Sequence, residues 1–177
     1  MLTLKVEPEI AQQRQEKSKG KEKPMYKKIM VPLDGSDLAE CVFPHLSALA
    51  EGGQVKNIVF VRVVEPFHQP TGDFVIDQKQ ITKIETDNKL EAEAYLKKVV
   101  NRVKYDGVNV QSQVLFGRVA EGLADFAAKN QVDLIVIATH GRSGVSRWVW
   151  GSVADRILRS SCVPVLMVRA PGCAPGV

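Results

Sequence analysis

The chain has 177 residues, 45% hydrophobic and 25% charged, as in an ordinary soluble globular protein with enough length for one proper core. Its formal charge is +4, but residues 1–24 hold six Lys/Arg against four Asp/Glu, so half of that excess precedes Met25. The remainder is nearly balanced and carries no basic stripe with interleaved aromatics, so nucleic-acid binding is not expected. No apolar run approaches the roughly 18 residues of a membrane span, and no positive-then-apolar leader opens the chain. Cys41, Cys162 and Cys173 are odd in number and form no C-x-x-C pair, which argues against structural zinc or a disulfide framework. A reducing, cytoplasmic setting fits that usage.

Residues 1–24 are poor in large apolar side chains and cannot bury enough surface to offset their ordering entropy, so they read as a flexible charged arm. The domain is expected over residues 25–170, followed by a short flexible tail, 171–177. Tyr26–Leu33 is β-rich and ends at the turn Asp34-Gly35-Ser36. Ala39, Val42, Phe43, Leu46, Leu49 and Ala50 then recur at helical spacing up to Gly52-Gly53, with His45 on or near that apolar face as a core or boundary residue. Asn57–Val64 is a strongly apolar strand closed by Glu65-Pro66. After a Pro- and Gly-bearing loop, a long helix is expected over about Gln80–Tyr105, with Leu96, Val99, Val100 and Val103 facing inward.

The second half repeats the rhythm. Val108–Phe116 alternates like a half-buried strand, and Val119, Leu123, Phe126 and Ala127 share one face of a helix. Asp133–Ala138 is almost uninterruptedly apolar, as a central parallel strand covered on both faces would be. A polar loop, Thr139–Trp150, leads into a helix opened by Gly151-Ser152, and Val163–Val168 forms the last strand. Five strands alternating with four helices define an α/β fold: a doubly wound, open, five-stranded parallel sheet with helices on both faces. Ligands bind such sheets at the carboxyl ends of the strands where strand order reverses. The loops after Leu33, Ala138 and Val64 should therefore form the cleft.

Two segments carry candidate chemistry. Ala138-Thr139-His140-Gly141, nine residues, then Gly151-Ser152 leaves a buried strand and enters a helix N terminus, where unpaired N–H groups favour anions. Gly141, Gly144 and Gly151 permit close backbone approach, Arg142 and Arg147 add positive charge, and the Ser152 hydroxyl can donate to a phosphate oxygen. An ordinary glycine-punctuated loop would read the same way. In Val31-Pro32-Leu33-Asp34-Gly35-Ser36, Asp34 could accept from a ribose hydroxyl or hold a Mg²⁺ directly or through water; equally, Asp34 and Ser36 could cap the first helix.

Together these motifs resemble the universal stress protein family. So do Val114-Leu115-Phe116-Gly117 with Ala120-Glu121, and the terminal strand Pro164–Val168. The likeness runs from Met25 to about Arg169. It implies the adenine nucleotide alpha hydrolase-like version of the fold and ATP, with Mg²⁺, as the bound cofactor. Pro32, Leu33 and Asp34 would line the adenosine side and Val63 would touch the adenine. Ala138, Thr139, His140, Gly141, Arg142, Gly151, Ser152 and Val153 would surround ribose and phosphates. The family's ATP-binding members carry Gly-x2-Gly-x9-Gly followed by Ser or Thr, and Ala138 stands where the first glycine would be.

Catalysis is not what these residues advertise. There is no Gly-x4-Gly-Lys-Ser/Thr loop, no Gly-x-Gly-x-x-Gly and no Gly-x-Ser-x-Gly, and His140 has no evident nucleophile to serve. Little or no hydrolysis is expected, at most that of a slow ATPase. The resemblance further implies a homodimer through the last strand, with Val163, Val165, Leu166, Met167 and Val168 at the contact. An ATP-independent dimer acting only through protein partners is the alternative, kept open by Ala138.

Overall fold

The computed structural model describes residues 25–52, 54–67, 77–139 and 151–169. The expected arm (1–24), the tail (171–177), His140, Gly141, Arg142, Gly144, Arg147 and both tryptophans lie outside the described residues. Five parallel strands make one sheet: β1 (Lys28–Pro32), β2 (Asn57–Val64), β3 (Asn109–Phe116), β4 (Leu134–Ala138) and β5 (Val165–Val168), ordered β3-β2-β1-β4-β5. Strand order reverses between β1 and β4, which is the switch point of a doubly wound sheet.

Four α-helices provide the crossovers: α1 (Phe43–Glu51), α2 (Gln78–Arg102), α3 (Val119–Lys129) and α4 (Ser152–Ser160). Alternation along the strands sorts the core into two layers. Ile29, Val31, Ile58 and Phe60 bury against α1 and α2 through Leu46, Leu96 and Val99. Met30, Val59, Val61 and Ile135 bury against α3 and α4 through Leu123, Ala127 and Ile157. All five residues of β4 are buried, and each large apolar side chain so removed from water contributes about 1.5–3 kcal/mol. No helix among the described residues is long and apolar enough to cross a membrane.

Four local expectations need correction. The first helix is not continuous from Ala39: residues Ala39–Val42 form a 3-10 turn, and the α-helix begins at Phe43 with Pro44 in its first turn. Proline has no N–H to bond back four residues, so it suits a helix start and not an interior. That shift leaves the buried stripe on Val42, Leu46 and Ala50 and turns His45 out to solvent. The long helix ends at Arg102, with Val103 extended yet still packed on the core. The last strand starts at Val165; Val163 lies in a preceding turn, its N–H donating to Ser161 Oγ at 3.0 Å.

Candidate functional site

The cleft exists because β1 is shorter than its neighbours at the carboxyl end. In a parallel ladder, successive residues turn their main-chain groups to opposite neighbours. Asp133 N–H donates to the Lys28 carbonyl (2.9 Å) and Leu33 N–H to the Val61 carbonyl (2.9 Å), so even residues of β1 face β4 and odd ones face β2. The rung to β4 after Met30 would therefore need an N–H from residue 32, and residue 32 is proline. Pairing with β4 accordingly stops at Met30↔Ile135, while β4 continues beside β5 as far as Ala138↔Val168. On the other side β1 stops at Pro32↔Val61, while β2 continues beside β3 to Val64↔Phe116.

Both overhanging strands present main-chain groups to the notch. Val61, an odd residue of β2, accepts from β1, so Val63 turns its N–H and C=O the same way, past the end of β1. Ile135 and Thr139 donate to Pro164 and Val168, so Ala138 turns its own main chain away from β5 and over β1. The resulting cleft has a volume of about 580 Å³, within the range of small-molecule sites. Pro32, Leu33, Asp34 and Val63 line it from one side. Ala138, Thr139, Gly151, Ser152 and Val153 line it from the other.

The N terminus of α4 closes that second side. Gly151 is its N-cap, no side chain caps it, and Gly151 N–H donates to the Thr139 carbonyl at 2.7 Å, fastening the helix start to the end of β4. The first intrahelical acceptor is the Gly151 carbonyl, taken by Asp155 N–H (3.0 Å). Residues 152–154 therefore carry first-turn N–H groups that have no intrahelical partner, at the positive end of the helix dipole and on the cleft.

The Asp34 loop is held by its own hydrogen bonds and also borders the cleft. Asp34 Oδ1 accepts from Ser36 N–H (3.0 Å) and Ser36 Oγ (2.7 Å), and Ser36 Oγ accepts from Ala39 N–H (3.2 Å) at the start of the 3-10 turn. Asp34 also lines the cleft. The loop turns at Gly35, whose φ of +89° is costly for a side chain. Ala138, at the variant motif position, is buried, and its methyl belongs to the core layer shared with Leu33 and Val168.

Sequence reasoning missed one wall. Arg62, Asn88 and Glu91 also line the cleft. The Arg62 guanidinium lies over the Tyr95 ring, 5.5 Å from its centroid, and pairs with Glu91 at 3.4 Å. Tyr95 donates to Glu40 Oε1 (3.0 Å), and Glu40 also accepts from Arg102. Burial, then the bond to Glu40, holds the Tyr95 hydroxyl protonated well above its ordinary range near 10. The available signal was Arg62 itself, the one charge in Asn57–Val64. Among the described residues no group of three or more His, Cys, Asp or Glu could hold a metal ion.

An open parallel α/β domain with a ligand-sized cleft at its switch point defines the class. The family model described as "Universal stress protein family" matches residues 25–169, and the chain belongs to that family. It is similar to Universal stress protein MJ0531 of Methanocaldococcus jannaschii, 32% identical over 150 residues, covering 83% of this chain and 84% of that one. In fold it is similar to MJ0577 of the same organism, with TM-score 0.68 and 24% identity over 84% of this chain and 99% of that one. A universal stress protein solved in complex with cAMP shares the fold at TM-score 0.60, with 21% identity over 82% of this chain and 99% of that one.

Proposed function

We propose that the protein is a stress-response regulator that binds an adenine nucleotide, ATP, in the switch-point cleft. The observation that carries this reading is the convergence of the Val63 and Ala138 main chains with the α4 N terminus on one notch. A main-chain donor and acceptor side by side on Val63 suit the amino and ring-nitrogen edge of adenine. The first-turn N–H groups of 152–154 suit phosphate oxygens. Asp34 suits a ribose hydroxyl, and the cAMP complex of a relative in fold adds support for an adenine ligand. His140, Gly141 and Arg142 belong to the same proposal through the motif.

Mg²⁺ would arrive on the phosphates, as this ion keeps most of its waters and needs only one or two carboxylates. Of the carboxylates that line the cleft, Asp34 is the one assigned to it, directly or through water. The protein acts as a binding switch with little or no hydrolysis. It works as a homodimer through Val163, Val165, Leu166, Met167 and Val168: β5 is an edge strand, and Leu166 is 37% exposed on it.

Calorimetric titration with Mg·ATP, and GTP for comparison, tests the reading. Saturable binding near one ATP per chain with weaker GTP is expected. A flat titration of nucleotide-free protein would leave the ATP-independent dimer.

A further inference from the structure

The wall of the cleft opposite α4 holds a cation that the nucleotide reading does not use. In β2, Ile58 and Phe60 point toward α1 and α2, so Arg62 follows them to that face. There the core has run out: the side chain reaches the end of the sheet, 11% exposed, between the Gly35 backbone, the Tyr95 ring and Glu91. A Cβ on Gly35 would stand 3.1 Å from Arg62 Nη1, so the glycine allows the guanidinium to lie flat against the Asp34 loop.

A guanidinium brings five N–H donors in a rigid fork. Among the described residues its hydrogen bond is Nη2 to Glu91 Oε1 at 3.4 Å, and the Glu91 side chain is 68% exposed. A pair that long, with one partner in water, contributes little. No buried nitrogen of this side chain is left without a partner, so the donors that Glu91 does not take reach the solvent of the cleft. The open direction is the cleft, and acceptors arriving there would complete its bonds.

We propose that Arg62 is a ligand-contacting residue that donates to acceptor atoms on the nucleoside end of the bound nucleotide, and that Glu91 competes with the ligand for the same donors. The nucleoside end follows from position: Arg62 adjoins Val63 and the Asp34-Gly35 loop, across the cleft from the helix N terminus that suits phosphate. The inference rests on the nucleotide reading of the cleft and adds a recognition residue to it.

The test is titration of full-length wild type, Arg62→Met, Arg62→Lys and Glu91→Gln with Mg·ATP and with adenosine. Arg62→Met is expected to lose about tenfold in affinity for both ligands, the size of one charged hydrogen bond. Arg62→Lys should recover part of that loss. Glu91→Gln, a change at an exposed carboxylate that leaves folding intact, should bind both ligands about two- to fivefold more tightly, because the competing charge is gone.

Equal affinity of wild type and folded Arg62→Met would overturn the inference while leaving the nucleotide site standing. Loss for ATP alone would overturn the nucleoside assignment. Unchanged or weaker binding in Glu91→Gln would overturn the competition and make Arg62 an anchor for α2, and this arm stands even if Arg62→Met does not fold. A wild type that binds neither ligand removes the nucleotide reading and this inference with it.

Discussion

The two ends of the sheet are built on opposite plans. At the amino ends the strands are stitched together. Asp133 accepts from the N–H groups of Lys27 (2.9 Å) and Lys28 (2.8 Å), and Lys28 Nζ donates to the Asn130 carbonyl (2.9 Å). Lys56 N–H donates to the Lys27 carbonyl and Asn109 N–H to the Lys56 carbonyl, both at 2.8 Å, so β1, β2 and β3 start nearly flush. At the carboxyl ends β1 stops early, β2 and β4 run past it, and main-chain groups face a cleft instead of a neighbour. One end stabilises the domain, and the other, among the described residues, leaves main-chain hydrogen-bonding capacity facing the cleft.

Substitutions can separate these two duties. The largest effect is expected at the open end: Gly151→Val sets a branched side chain at the α4 N-cap and should weaken ATP binding by about 100-fold, or roughly 2.7 kcal/mol. Thermal unfolding should barely change, since Gly151 has an ordinary negative φ of −50°. Retained affinity in the folded variant would move the phosphate site elsewhere.

The mirror-image change at the stitched end is Asp133→Ala. Losing the acceptor for two main-chain N–H groups should cost about 2 kcal/mol in denaturant unfolding, with ATP affinity of the folded protein within twofold of wild type. A comparable loss of affinity would show that the two ends are energetically coupled.

Ala138→Gly restores the family's motif glycine. Because the methyl packs with Leu33 and Val168, the change should destabilise by about 1 kcal/mol and alter ATP affinity less than threefold. Tightening beyond that, read by titration, would mean that the methyl obstructs the ligand.

The smallest effect concerns Tyr95 behind the Arg62 wall. Its folded-state pKa is raised, by burial first. The stability contributed by the protonated hydroxyl is therefore full below the unfolded value of about 10 and is lost as pH climbs from there toward the folded-state value. Unfolding free energy should fall less steeply above about pH 10 in Tyr95→Phe than in wild type. Parallel slopes would show that the hydroxyl titrates as it does in the unfolded chain.

Much of the architecture was legible because the relevant forces are local and periodic. Asn57–Val64 was bounded correctly from its apolar run, and Asp133–Ala138 was readable as a doubly covered strand. The glycine-serine pair at 151–152 marked the helix start. Two of the misplacements share a cause: Pro44, which has no N–H to donate, set the start of the first helix, and Ser161 captured Val163 in a turn. Those are competitions between neighbouring residues that an apolar pattern does not weigh.

The sequence by itself determined the alternation of strands and helices, the family motif and the switch-point loops, because burial period and helix-start chemistry are written in residue order. Tertiary structure alone decided what faces the notch. Pro32 reads in isolation as a strand end; only beside β4 does its missing N–H become the reason the sheet opens. Arg62 reads as an odd charge in an apolar strand; only against Gly35, Tyr95 and Glu91 does it become a wall of the cleft. The sequence says that both residues are present, but which neighbours they meet depends on strands and helices far away along the chain.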